Sequence, residues 1–223
     1  MNRPPRAPDL SVYLITDPLL CAGRGVVETA LAAVAGGATL VQLRDKHAPD
    51  AELIAVGRAL KAALAALGVP LIVNDRIRVA AAIGADGVHV GQGDDSVLEA
   101  RRVLGPGAIV GLSIQSAAHA AAASALPVDY VGIGPVFATG TKPDHAPPLG
   151  LAGLAAVRAA TGLPAVAIGG LGVAQVPGVL DAGCDGLAIV SAICAAPDPE
   201  SAARAFRQAF LHHRGQHRAE AQP

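Results

Sequence analysis

The chain has 223 residues, a formal net charge of −1 and a hydrophobic fraction of 52%, which is enough apolar material for one large core and too much for a disordered chain. The near-neutral charge and an aromatic content of 2% supply neither a basic field nor a stacking surface for nucleic acid, and Cys21, Cys184 and Cys194 fit no metal-ligand or redox spacing, so they read as small apolar residues. The polar start "MNRPPRAPDLS" is unlike a signal peptide, and no uninterrupted apolar span is long enough for a membrane helix; the expectation is a soluble cytoplasmic protein with no membrane partner.

In chain order, the β-branched run "VYLIT" leads past Asp17 into the helical "VVETALAAVAGG". "TLVQL" is followed by "AELIAVGRALKAALAALG", "PLIVN" by "IRVAAAIGA", and "DGVHV" by "SVLEARRVLG". "AIVGL" comes next, then "DYVGI" and, beyond a long polar loop, "LGLAGLAAVRAA"; "PAVAI" precedes "VAQVPGVLDAGC", and "DGLAIV" precedes the terminal "PESAARAFRQAFLHH". Strands that alternate with helices pair in parallel, because parallel neighbours need crossover connections, and near-continuous apolar runs suit strands covered on both faces. Eight such units, with no Gly-x-Gly-x-x-Gly turn after the first strand, predict a single (β/α)8 barrel over residues 11–213 rather than an open doubly wound sheet. Residues 1–10 and 214–223 read as flexible tails, which also places His212, His213 and His217 in a mobile segment or at its edge.

A barrel of this kind carries its chemistry on the loops that follow its strands. The strand exits hold Gln42, Arg44, Asp45 and Lys46, then Asn74, Asp75 and Arg76, then Gln92, Asp94 and Asp95, with Ser113 ending the fifth strand. The long loop "GPVFATGTKPDHAPP" after the sixth contributes Thr139, Gly140, Thr141 and Lys142. Gly169 and Gly170 after the seventh strand, with Val190 and Ser191 after the eighth, suit a phosphate monoester, since glycine admits close backbone approach and free N–H groups favour an anion. Arg44, Lys46 and Lys142, with the neutral donors Gln42, Asn74, Ser113, Thr139 and Thr141, exceed the needs of one monophosphate and suit a diphosphate. Asp75 and one of Asp94 or Asp95 could hold Mg²⁺, which binds through one or two carboxylates plus phosphate oxygens; Asp95 is also placed to cap the helix that follows. Pairing with Arg76, or capping of the next helix, is the competing role for Asp75. His89 reads as a packed strand residue, Asp17 as a cap or a site residue, and no Ser–His–Asp arrangement follows from spacing.

Together "VQLRDK", "IVNDR", "GADGVHVGQGD", "YVGIGPVFATGTK", "AIGG" and "LAIVSAI" resemble the thiamin phosphate synthase family, in order and over nearly the whole chain. The resemblance implies a (β/α)8 transferase that joins a hydroxymethylpyrimidine diphosphate to a hydroxyethylthiazole phosphate, or its carboxylated precursor, releasing pyrophosphate. It implies that Gln42, Arg44, Lys46, Asn74, Ser113 and Lys142 hold the pyrimidine diphosphate, and that Thr139, Gly140, Thr141, Gly170, Val190 and Ser191 receive the thiazole phosphate. Mg²⁺ would sit on Asp75 and Asp94. Catalysis would come from Lys142, Arg44 and Lys46 stabilising the departing pyrophosphate, with no protein nucleophile. A thiazole tautomerase on the same scaffold is the nearest alternative, but Gln115 stands where its acid–base histidine is expected. A non-catalytic sensor of thiamin precursors is the alternative from another class.

Overall fold

The computed structural model describes residues 8–92, 94–140 and 147–220. Eight parallel strands close on themselves in sequence order, β1 beside β8, as expected of a (β/α)8 barrel. The elements are β1 (Val12–Ile15), α1 (Val26–Ala35), β2 (Leu40–Leu43), α2 (Asp50–Ala65), β3 (Leu71–Asn74), α3 (Ile77–Ile83), β4 (Gly87–Val90) and α4 (Asp94–Leu104). The second half comprises β5 (Ile109–Ile114), α5 (Ala117–Ala123), β6 (Tyr130–Ile133), α6 (Gly150–Ala159), β7 (Ala165–Ile168), α7 (Val176–Asp181, preceded by a 3₁₀ turn at Val173–Gln175), β8 (Gly186–Ile189), α8 (Ser191–Cys194) and α9 (Pro199–Glu220).

Side chains alternate across each strand, so one run of Val, Ile and Leu feeds two cores. Val12, Leu14, Val41, Leu43, Val88 and Val131 pack outward against the helices. Tyr13, Ile15, Leu40, Ile72, Tyr130, Val166 and Ala188 fill the barrel itself. The alternation also fixes the site: two residues after the inward Leu40 comes Gln42, and Gln42 is buried.

At the end of the barrel where the strands begin, one device recurs on alternate strands. Asp86, just before β4, accepts from the Leu71 amide of β3 at 2.7 Å and pairs with Lys61 of α2 at 2.5 Å. Asp129, before β6, accepts from Val110 of β5 at 2.7 Å and pairs with Arg101 of α4 at 2.8 Å. Asp185, before β8, accepts from Ala165 of β7 at 2.9 Å and lies 3.7 Å from Arg158 of α6. Before β2 the position is Thr39, whose hydroxyl accepts from the Val12 amide at 3.2 Å; no helix precedes β1 among the described residues to supply a cation. Each acid thus ties a helix, the next strand and the strand after it.

Three expectations need correction. The ordered chain does not stop at His213: α9 continues to Glu220, and His213 is buried, with Nε2 3.0 Å from Asp181 of α7. Aliphatic and aromatic anchors facing the barrel, including Phe206 and Phe210, carry the helix past the point where the apolar pattern fades. Leu10, assigned to the N-terminal tail, is buried at the foot of the barrel. Helix α4 begins at Asp94, two residues before the expected start at Ser96, so Asp95 lies inside its first turn rather than at its cap. The side chains of Asp94 and Asp95 lie outside the described residues.

Candidate active site

The strand exits converge on a cavity of about 230 Å³ at the mouth of the barrel. Of the residues expected there, Gln42, Arg44, Lys46, Asn74, Asp75, Ser113, Thr139, Gly170, Val190 and Ser191 all line it. Gly140 is exposed and not part of the lining. Thr141, Lys142 and the Asp94 side chain lie outside the described residues.

The side contributed by β2 to β5 is built from side chains. Arg44 is seated by its own amide, which donates to Thr16 Oγ1 at 3.1 Å, and by Asp17, whose carboxylate lies 3.6 Å from the guanidinium. Asp17 also accepts from the Leu19 and Leu20 amides, so it is both a turn cap and a partner of a site residue. Lys46 is exposed at the rim, and neighbouring Asp45 organises the turn that carries it. Partial burial of Asp45 acts to raise its pKa, but the Ala48 and His47 amides and the charge of Arg76 outweigh this and hold the carboxyl below its usual range.

Asp75 takes neither of its competing roles. Arg76 pairs with Asp50 at 2.9 Å, and α3 has no side-chain cap. Asp75 instead sits at φ 58°, a conformation uncommon outside glycine, and accepts from the Asn74 side-chain amide at 2.6 Å. Its exposed carboxylate is thereby held at the mouth. Among the described residues no group of three His, Cys, Asp or Glu side chains could hold a metal ion, so no all-protein cage of the zinc type is present there.

The side contributed by β7 is built from backbone. Gly169 and Gly170 have φ of 102° and 62°, and a Cβ on Gly170 would stand 2.5 Å from the Ala138 carbonyl oxygen and 2.8 Å from Phe137 Cβ. Only glycine lets this turn slide under the loop that leaves β6. That loop is pinned at both ends: the Val136 and Phe137 amides donate to Ile168 and Gly169, while the Leu149 and Gly150 amides donate back to Pro135 and Val136. Thr139 is therefore set at the cavity by a closed base.

Sequence reasoning passed over the floor. His89 is packed, as expected, yet it also lines the cavity, with Nε2 2.9 Å from Ser113 Oγ and Nδ1 2.9 Å from Tyr130 Oη. Where a Ser–His–Asp triad would put a carboxylate, Nδ1 meets a phenol. Tyr13 and Tyr130 are fully buried inside the barrel, and burial pushes both phenols well above their ordinary range, so each keeps its proton. The signal was available: the chain has only two tyrosines, both in predicted strands, and a buried phenol needs a partner.

Residues 12–193 match the family described as thiamine monophosphate synthase. The chain belongs to that family. A thiamine-phosphate synthase of Xanthobacter autotrophicus is 56% identical over 207 residues, spanning 93% of this chain and 98% of the relative. One from a Psychrobacter species is 51% identical over 207 residues, spanning 91% and 97%. The solved thiamine phosphate pyrophosphorylase of Pyrococcus furiosus superposes with a TM-score of 0.83 at 34% identity, over 93% of this chain and 98% of its own. A 3-hexulose-6-phosphate synthase, with a TM-score of 0.68 and 21% identity, shares the fold alone. Membership in the family makes the chain an enzyme of the transferase class. Among the described residues no helix is long and apolar enough to cross a membrane.

Proposed function

We propose that the chain joins 4-amino-2-methyl-5-(diphosphomethyl)pyrimidine to 4-methyl-5-(2-phosphoethyl)thiazole, giving thiamin monophosphate and pyrophosphate, or to its carboxylated precursor, giving the same two products and carbon dioxide from the carboxylate. The observation that carries this is one cavity with two differently built walls, each suited to an anion: the cationic side chains of Arg44 and Lys46 after β2, and glycine backbone at the β7 exit beside Val190 and Ser191 after β8. Gln42, Arg44, Lys46, Asn74, Ser113 and Lys142 take the diphosphate, while Thr139, Gly140, Thr141, Gly170, Val190 and Ser191 take the thiazole phosphate. The carboxylate of Asp75, exposed at the mouth and steadied by Asn74, is a hard oxygen donor of the kind Mg²⁺ shares with phosphate oxygens, and Asp94 is its proposed partner. Bound there, Mg²⁺ would neutralise charge on the diphosphate.

The chain's own residues act by position and charge. The bond between the pyrimidine methylene carbon and the diphosphate oxygen breaks, its electron pair leaves with pyrophosphate, and the thiazole nitrogen supplies the pair for the new C–N bond. Arg44, Lys46 and Lys142 stabilise the charge that develops on the leaving oxygen, and the apolar lining from Ile15, Ile168 and Ala188 keeps water from the carbocationic centre. No side chain is needed as a nucleophile. The three thiols are free and buried, as suits the reducing cytoplasm in which we place the enzyme.

Incubating the protein with both precursors and Mg²⁺, and measuring thiamin phosphate and pyrophosphate together, is the direct test. Equal yields of both products are expected, with none after exhaustive chelation of the metal. Binding of the precursors without turnover would mark a sensor instead.

A further inference from the structure

Five side chains form one hydrogen-bonded line across the floor of the cavity. Gln42 Nε2 donates to Tyr13 Oη at 2.6 Å, the Tyr13 and Tyr130 hydroxyls are 2.8 Å apart, Tyr130 Oη lies 2.9 Å from His89 Nδ1, and His89 Nε2 lies 2.9 Å from Ser113 Oγ. Both ends, Gln42 and Ser113, line the cavity, whereas the two tyrosines between them are fully buried.

In such a line each phenol has one proton to give, and a neutral imidazole is a donor at one nitrogen and an acceptor at the other. Two arrangements carry the protons in one sense from end to end. In the first, Gln42 donates to Tyr13, Tyr13 to Tyr130 and Tyr130 to His89 Nδ1. His89 then carries its proton on Nε2 and donates to Ser113 Oγ, so the serine hydroxyl proton is free for the cavity. In the second, Ser113 donates to His89 Nε2, His89 Nδ1–H to Tyr130, Tyr130 to Tyr13 and Tyr13 to a Gln42 amide turned to present its oxygen, and the serine meets a ligand with lone pairs.

We propose that Tyr13, Tyr130 and His89 are positioning residues that hold this line in the first direction, so that Ser113 presents a hydrogen-bond donor to the anionic substrate. The proposal rests on the cavity being a diphosphate site. Two further observations support it. The Gln42 amide nitrogen lies against Tyr13, so Tyr13 accepts there and its own proton has Tyr130 as the next acceptor in line, which favours the first direction. Gly111 of β5 lies beneath the contact between Tyr130 and His89, where a Cβ would collide with the Tyr130 ring and His89 Nδ1. The backbone of a neighbouring strand thus leaves the space that this one bond occupies.

The experiment reads the histidine directly. In the full chain labelled with ¹⁵N-histidine, recorded where the ring is neutral and assigned by comparison with His89→Gln, His89 should show the Nε2–H tautomer. Tyr130→Phe, which removes the donor to Nδ1, should abolish that preference. An Nδ1–H tautomer in the unaltered protein would overturn the proposal and make Ser113 a base-assisted hydroxyl. A tautomer unchanged in Tyr130→Phe would overturn it equally. Kinetically, Tyr130→Phe should raise KM for the pyrimidine diphosphate about tenfold, as leaving buried polar groups unpaired does, with kcat altered less than about threefold and KM for the thiazole phosphate unchanged. In a Ser113→Ala background the same change should have less than about a twofold effect, because the line no longer ends on a hydroxyl; a full tenfold effect there would overturn the route through Ser113. If the unaltered protein formed no thiamin phosphate, the functional proposal would fail while the tautomer still decided the direction of the line.

Discussion

The two ends of the barrel use the same residue types to opposite purpose. Where the strands begin, Asp86, Asp129 and Asp185 each meet both a backbone amide and a cation, so their charges are consumed internally. Where the strands end, Asp75 has only the Asn74 amide as its side-chain partner among the described residues, and Lys46 stands exposed at the rim. A charge satisfied by its own fold ties elements together; a charge left facing a cavity is available to a ligand. Placement along a strand, more than residue identity, separates stability from function.

Breaking the mouth should change rate and leave folding alone. Lys142→Ala has the largest expected effect, a loss of about 3 kcal/mol of transition-state stabilisation, or roughly a hundredfold in kcat/KM, with an unchanged thermal melt. A change below about threefold in steady-state kinetics would remove Lys142 from the site.

Breaking the other end should do the reverse. Asp129→Ala strips the partner from Arg101, whose side chain is only 18% exposed, and orphans the Val110 amide; about 2 kcal/mol of stability should be lost. Denaturant unfolding would read that loss, and kcat/KM measured well below the melt should be unaltered. Lowered activity in a folded sample would show that the two ends are coupled.

Within the mouth, Gly170→Ala sharpens the contrast between side-chain and backbone anion sites. The strained φ adds about 1 kcal/mol, and the new Cβ presses on Ala138, so KM for the thiazole phosphate should rise several-fold while that for the pyrimidine diphosphate holds. Equal increases in both would mean that the two sites are not separately built.

The smallest effects concern the adjacent acids of α4. Asp94→Asn should raise the Mg²⁺ concentration for half-maximal rate several-fold with little change in stability, since an amide oxygen is a poorer ligand for a hard cation. Because α4 starts at Asp94, Asp95→Ala should remove only a favourable charge in the first helical turn, about 0.5 kcal/mol, rather than a cap. Metal titrations and melts of both variants would reveal the reverse assignment if Asp95 were the ligand.

Much of this was written locally. Strand alternation alone put Gln42, Asn74, Ser113 and Val190 on the exits, because a two-residue period in a run bounded by helices leaves few choices. The acids before β4, β6 and β8 sit in the runs "DGVHV", "DYVGI" and "DGLAIV", yet nothing local distinguishes a clamp from a turn residue, since each partner amide lies 15 to 20 residues away in sequence. The helix that persists to Glu220 was similarly hidden. "HHRGQHRAE" has little apolar pattern of its own, and His213 finds its place only because α7 brings Asp181 to it.

By itself the sequence determined the eightfold alternation, the closure into a barrel and the set of polar residues at the strand exits, all of which follow from periodicity and the need to bury apolar faces. Tertiary structure alone decided which of those residues share a cavity, and that Tyr13 of β1 and Tyr130 of β6, 117 positions apart, meet at 2.8 Å. It also decided that His89 is a link between them and Ser113 rather than a packed bystander. The reason is physical: a hydrogen bond needs a partner within about 3 Å and in line, and ring closure sets which inward-facing side chains meet across a barrel, a relation no short window of sequence contains.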